Sequence, residues 1–240
     1  MRKLASIQCL DSNNLDRHPR GDTNGNQQSE VLHFILFHGY GADAYDLRSL
    51  SEVISPTVAM QFIFPQGVLE VPIGPGWTGR AWWQIDIAAL QSAASSGQPR
   101  DLSKEKPEAL PALRKRILEA IESLKVPWDR IILGGFSQGA MLANDIFMHA
   151  PENPRALVCL SGALLSKEEL KPLAAKRSGL PFFLSHGKSD AVLDIRGSSQ
   201  LESFLLQAGM KGKLFSFAGA HEIPMEAVAK LNEFLLQVSK

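Results

Sequence analysis

One stretch constrains this chain more than any other: Arg130-Ile-Ile-Leu-Gly-Gly-Phe-Ser-Gln-Gly139, running directly into the apolar segment Ala140–His149. Its first residues form a short apolar run of the kind that makes a strand buried on both faces. The residues after Gly139 are apolar on nearly every side, as in a buried helix. Between the two, Gly135-Phe136-Ser137-Gln138-Gly139 reads G-x-S-x-G. In a strand–turn–helix context this spacing predicts a sharp, strained turn that lifts the Ser137 hydroxyl past the end of a sheet. Glycine two residues to either side is demanded because a side chain there would strike neighbouring backbone. The helix that follows places its N-terminal dipole beside the hydroxyl, where negative charge is favoured. Taken alone, the pentapeptide also fits an ordinary glycine-rich turn, so the weight rests on its flanks and on the partners below.

A chain of 240 residues with 45% hydrophobic and 21% charged content suits a single α/β domain with an ample core, spanning 1–240. Apolar strand-like runs recur at Val31–Phe37, Ala59–Phe64, Arg130–Leu133, Ala156–Leu160, Pro181–Ser185 and Lys213–Phe217, with Leu4–Leu10 as a candidate edge strand. Helical spacing links Leu110, Leu113, Ile117 and Ile121, then Leu201, Phe204 and Leu205, and finally Met225, Val228, Leu231 and Leu235. Strands alternating with helices imply right-handed crossovers and a mostly parallel central sheet covered by helices on both faces. Residues 11–30 read as a flexible polar loop. Residues 65–106 read as an irregular segment bordering the site, with three of the four tryptophans and no core-forming period in Ala88–Lys106.

A serine needs a base, and the base an orienting acid. In a fold of this kind they follow the serine as acid then histidine, each just past a strand end. Phe182-Phe-Leu-Ser-His-Gly-Lys-Ser-Asp190 supplies the acid, and Leu214-Phe-Ser-Phe-Ala-Gly-Ala-His221 the histidine. Ser137, Asp190 and His221 are therefore the expected catalytic triad, with Asp194 as the rival acid. His186, before Gly187 at a turn, is expected to fix the Asp190 loop. Two oxyanion donors are expected: the Gln138 amide from the elbow, and the Tyr40 amide from His38-Gly-Tyr-Gly41, where flanking glycines leave the N–H unobstructed. Trp82 and Trp83 are expected to wall a substrate pocket, while Trp77 fits pocket or surface packing equally.

Four blocks now resemble a known family: Phe37-His-Gly-Tyr-Gly-Ala-Asp43, Ile132-Leu-Gly-Gly-Phe-Ser-Gln-Gly-Ala140, Ser185-His-Gly-Lys-Ser-Asp190 and Gly219-Ala-His-Glu-Ile223. The chain looks like the phospholipase/carboxylesterase, or acyl-protein-thioesterase-like, branch of the α/β-hydrolases, from about Val31 to Val238. The resemblance implies a metal-free serine hydrolase of carboxylic esters or thioesters, often dimeric, with the triad and oxyanion donors just named. Two positions depart from the thioesterase pattern. Tyr40 stands where a leucine is usual, and Trp82-Trp83-Gln84 where Trp-aromatic-Asp is usual. A bulkier, more polar mouth points to short-to-medium acyl esters.

Balanced charge, with 25 basic and 25 acidic residues, gives no electrostatic reason to expect nucleic acid. No apolar run reaches the ~20 residues of a membrane span, and the start is too short in apolar residues for a signal peptide. Two cysteines, Cys9 and Cys159, fit a reducing compartment, and no histidine has metal-ligand spacing. The sequence thus reads as a cytoplasmic, cofactor-free carboxylesterase of small-molecule esters, with a homodimer open to it. An acyl-protein thioesterase or lysophospholipase is the rival within hydrolases. A hydrolase-fold protein that only binds ligand is the rival outside them.

Overall fold

The computed structural model describes residues 9–11, 31–54, 59–96 and 100–240. Residues 12–30 of the loop predicted at 11–30 and the start of the Leu4–Leu10 segment lie outside them, while Asp11 ends a strand. Seven strands make the main sheet: β1 (Cys9–Asp11), β2 (Leu32–Phe37), β3 (Met60–Pro65), β6 (Ile131–Phe136), β7 (Ala156–Leu160), β8 (Pro181–Gly187) and β9 (Lys211–Phe217). Their spatial order is β1-β3-β2-β6-β7-β8-β9. Only β1 runs antiparallel, at the edge beside β3; every other neighbouring pair is parallel. The chain steps from β2 outward to β3, then returns to pair β6 on the other side of β2. That reversal between β2 and β6 opens a crevice beyond the strand ends.

Successive residues of each central strand point to opposite faces, and both faces are covered. Ile35, Phe37, Ile131, Leu133, Leu157 and Leu184 join one core with α3 (Leu110–Ser123), α4 (Gln138–His149) and α6 (Ile195–Gln207). Phe34, Leu36, Ile132, Val158 and Phe183 join the other with α1 (Leu50–Val53) and α7 (Met225–Val238). Double burial explains why these strands read as continuous apolar runs rather than alternating ones. The helix faces match their spacing: Leu110, Leu113, Ile117 and Ile121 are buried on α3, and Val228, Leu231 and Leu235 on α7. Each such side chain contributes roughly 1.5–3 kcal/mol.

The segment 65–106 is more regular than its sequence predicts. It holds a two-stranded antiparallel hairpin, β4 (Leu69–Gly74) and β5 (Trp77–Ala81), and a helix, α2 (Ile87–Ser95), followed by a 3-10 turn at Leu102–Lys104. Only Leu90 and Leu102 of the 88–106 stretch are buried apolar anchors among the described side chains. Two inward leucines are too few to make a visible period. α5 (Lys167–Ala174), a short helix capping the end of α4, was also unsignalled.

Candidate active site

The loops after β2, β6, β8 and β9 meet beyond the carboxyl ends of the strands, on the two sides of the β2–β6 reversal. At its centre Ser137 has φ 56° and ψ −120°, a conformation that non-glycine residues rarely hold. Such strain costs about 1–3 kcal/mol and persists only where the surroundings enforce it. Here they do. A Cβ on Gly139 would come within 2.0 Å of the Phe37 carbonyl oxygen, and one on Gly135 within 2.4 Å of the Gly139 carbonyl. Strand, turn and helix are therefore in backbone contact, and the spacing predicted from the sequence has a steric cause. The Ser137 amide donates to the Leu160 carbonyl at 2.9 Å, tying the turn to β7.

His221 and Asp190 are brought together as the sequence predicts. The imidazole Nδ1 lies 2.6 Å from Asp190 Oδ2, and the ring packs on Phe136, the residue before Ser137, with centroids 4.7 Å apart. Asp190 Oδ1 accepts from the Val192 and Leu193 amides. Burial alone would raise this carboxyl. Hydrogen bonds from His186 and His221, the His221 charge and the Leu193 amide outweigh it and hold the group well below the usual carboxylate range. Asp194 is occupied elsewhere: it caps α6 through the Arg196 amide at 2.8 Å and pairs the Arg196 guanidinium. The rival acid is thereby accounted for as a helix cap.

The loop carrying Tyr40 is held at both ends. His38, almost fully buried, accepts the Gly67 amide on Nε2 at 2.9 Å, so its proton sits on Nδ1 and is donated to the Gly39 carbonyl at 2.8 Å. Burial pushes this imidazole down, against the smaller opposing effect of the Gly39 bond, and favours the neutral ring. The hairpin holds the other end, with the Gly41 amide donating to Arg80 O at 2.8 Å and Arg80 N to Ala42 O at 2.7 Å. A Cβ on Gly79 would fall 1.9 Å from the Gly41 oxygen, so glycine is required for this docking.

The structure separates Trp82 from Trp83. Trp82 is wholly buried: its ring packs edge-on against Phe37, with centroids 5.3 Å apart, and its indole N–H donates to His38 O at 2.9 Å. It braces the Tyr40 loop from within the core and does not face a cleft, contrary to the pocket wall read from the sequence. Trp83 does line a cleft of about 410 Å³, together with Gln84, Ile85, Leu102, Met141 and Leu165. Because Met141 sits in the first turn of α4, this cleft adjoins the elbow. Trp77 is 73% exposed on β5. Sequence reasoning missed the Gln138 side chain. Fully buried, it accepts the Trp82 amide on Oε1 at 3.0 Å and donates from Nε2 to the Trp83 carbonyl at 2.7 Å. Tyr40 in turn accepts on its hydroxyl from Gln84 Nε2 at 2.8 Å, at the edge of the cleft.

Among the described residues no group of histidine, cysteine and carboxylate side chains could hold a metal ion, and no helix is long and apolar enough to cross a membrane. Cys159 is buried, which pushes its thiol far above its ordinary range, so it is chemically quiet.

Residues 23–239 match the sequence profile of the phospholipase/carboxylesterase family. Acyl-protein thioesterase 1 of Kluyveromyces lactis is 30% identical over 219 residues, covering 86% of this chain and 91% of that protein. Acyl-protein thioesterase 1 of Candida albicans is 25% identical over 224 residues, covering 89% and 94%. Among solved structures, esterase PE8 is similar with a TM-score of 0.69 at 25% identity, covering 86% of this chain and 92% of its own. Acyl-protein thioesterase 2 of Zea mays shares the fold, with a TM-score of 0.67 at 22% identity and coverage of 98% and 99%. With the profile match spanning nearly the whole chain over this sheet, the chain belongs to the phospholipase/carboxylesterase family of α/β-hydrolases.

Proposed function

We propose that this hydrolase is a serine carboxylesterase acting on short-to-medium acyl esters through an acyl-enzyme. The observation that carries the reading is the His221–Asp190 contact at 2.6 Å, on the loop whose imidazole packs against the strained elbow. His221 takes the Ser137 proton as Oγ attacks the acyl carbonyl, and Asp190 holds the ring in the tautomer that leaves Nε2 free to accept. The Tyr40 and Gln138 amides receive the developing oxyanion. His221 then protonates the departing alcohol, and water repeats the sequence to release the acid. The acyl group lies in the Trp83–Met141–Leu165 cleft, whose edge is narrowed by the Tyr40–Gln84 hydrogen bond.

A thioesterase reading has its own support, since the curated relatives quoted above are named acyl-protein thioesterases. Rates on p-nitrophenyl esters from C4 to C16, set against a palmitoyl thioester and a lysophospholipid, separate the two. The carboxylesterase reading expects an optimum at short-to-medium esters; a preference for C16 esters or the palmitoyl thioester transfers the assignment. Labelling by a fluorophosphonate tests the serine itself, and absence of both labelling and turnover would leave a ligand-binding protein. Action on soluble small esters in the cytoplasm, without a nucleic-acid or membrane partner and with a homodimer as the assembly to look for, completes the proposal.

A further inference from the structure

Asp190 is contacted by two histidines, and the mechanism above uses only one. His221 Nδ1 and His186 Nε2 both reach Oδ2, at 2.6 and 3.1 Å, while Oδ1 takes the Val192 and Leu193 amides at 2.8 and 2.9 Å. A carboxylate offers about four lone-pair sites; the Val192 and Leu193 amides and His221 fill three, and His186 Nε2, shared with the Leu193 carbonyl, faces the fourth. The His186 ring is entirely buried and cannot drift. Its Nδ1 lies 2.7 Å from Ser198 Oγ on α6, and the same hydroxyl lies 2.8 Å from the Gly162 carbonyl after β7. Nε2 also reaches the Leu193 carbonyl at 2.8 Å, closing the Asp190 turn on itself.

We propose that His186 is a positioning residue for the reaction: it holds Asp190 through the oxygen that Asp190 presents to His221. The inference rests on the triad reading. With Oδ1 on two amides and Oδ2 between His186 and His221, the carboxylate has one permitted orientation, and that orientation sets the direction of the His221 ring. Without His186 the Leu193 carbonyl loses its partner and the turn that carries the Val192 and Leu193 amides loosens, so the carboxylate and the His221 ring it orients lose their fixed bearing on Ser137. The titratable and charged groups nearest His186 are Asp190, which His221 also contacts, and Asp194 with its partner Arg196 at the start of α6.

The test compares His186→Leu, which removes the donor at similar bulk, with His186→Gln, whose amide restores a donor near Nε2. Both are measured for kcat, KM, melting temperature and the downfield proton resonance of His221 Nδ1–H. His186→Leu is expected to lower kcat about tenfold to a hundredfold, the equivalent of one charge-assisted hydrogen bond, with KM changed less than about twofold. His186→Gln should recover most of kcat, and the His221 resonance should persist but shift in the leucine variant. Equal losses in both variants that track melting temperature reduce His186 to a packing role and overturn the inference. A fully active His186→Leu overturns it too. Asp190→Asn is run alongside: if it is inactive while His186→Leu is fully active, the triad reading stands and only this inference falls. A fully active Asp190→Asn removes the triad reading and this inference together.

Discussion

Ser137 sits in a conformation that its side chain disfavours, and its substitutions separate chemistry from stability. Ser137→Ala should lose several orders of magnitude in kcat with an almost unchanged melting temperature, because the hydroxyl is lost but the backbone strain is not. Ser137→Gly should be equally inactive yet more stable by about 1 kcal/mol, since glycine adopts φ 56° freely. Thermal denaturation of the pair checks this; equal melting temperatures would show that the turn is unstrained. For the acid, Asp190→Asn should cost far more activity than Asp194→Asn, the first by misdirecting His221 and the second by trimming a helix cap worth about 1 kcal/mol. The reverse ranking in kcat would transfer the role. Gln138→Met keeps the backbone amide but strands the Trp82 N–H and the Trp83 carbonyl inside the core. About 1–3 kcal/mol of stability should go with each, measured by urea unfolding.

At the level of elements, the hairpin and the Tyr40 loop behave as one body, with neutral His38 as a rivet between them. His38 is depressed below 6.5 in the folded chain. In the window between its folded value and 6.5 the unfolded chain binds more protons, so stability rises with pH there and is lost on acidification below about 6.5. Asp190, depressed below 3.8, adds a second loss as pH falls beneath that value. Acid titration of unfolding free energy should show both stages, and His38→Gln should flatten the first while leaving the second. Tyr40→Leu breaks the bond to Gln84 and keeps the Tyr40 amide position, so the ester optimum should move toward longer chains without loss of turnover. An unmoved optimum would place the size limit elsewhere. The elements that set these properties differ in how visible they are in sequence. The parallel strands β2, β3, β6, β7 and β8 and the helices α3, α4, α6 and α7 announce themselves because burying both strand faces, or one helix stripe, requires unbroken or periodic apolar residues; β9, largely exposed at the sheet edge, was marked only by the short run Lys213–Phe217. The hairpin has an exposed face and a single inward valine, Val71, on β4, so no period marks it; Gly74-Pro75-Gly76 between two short runs was its available signal. Trp82 was misplaced because aromatic bulk near a site looks the same whether it lines a cleft or supports it from beneath. Of the site, Ser137, Asp190 and His221 were legible as candidates because each lies just past the end of a strand. The bracing contacts of Gln138 and His38 were not, because they depend on which backbone groups tertiary packing brings opposite them.

For the molecule as a whole, the parts of the site come from loops far apart in sequence that converge only because the sheet is complete. β2 pairs β6 with His33 opposite Ile131, a closure of roughly a hundred residues, whereas β8 and β9 join across a single helix. Loops of that span make parallel pairing slow, so β2–β6 docking should be the late step in folding. The Tyr40 amide and Ser137 lie on the two sides of that pairing. Upon dilution from denaturant, far-UV helix signal should therefore return before esterase activity, and fluorophosphonate labelling of Ser137 should follow the activity, not the helix signal. Simultaneous recovery of all three would mean that the sheet closes at once. The strand reversal that creates the crevice thus also acts as a clock: the chain can hydrolyse nothing until its slowest long-range contact has formed.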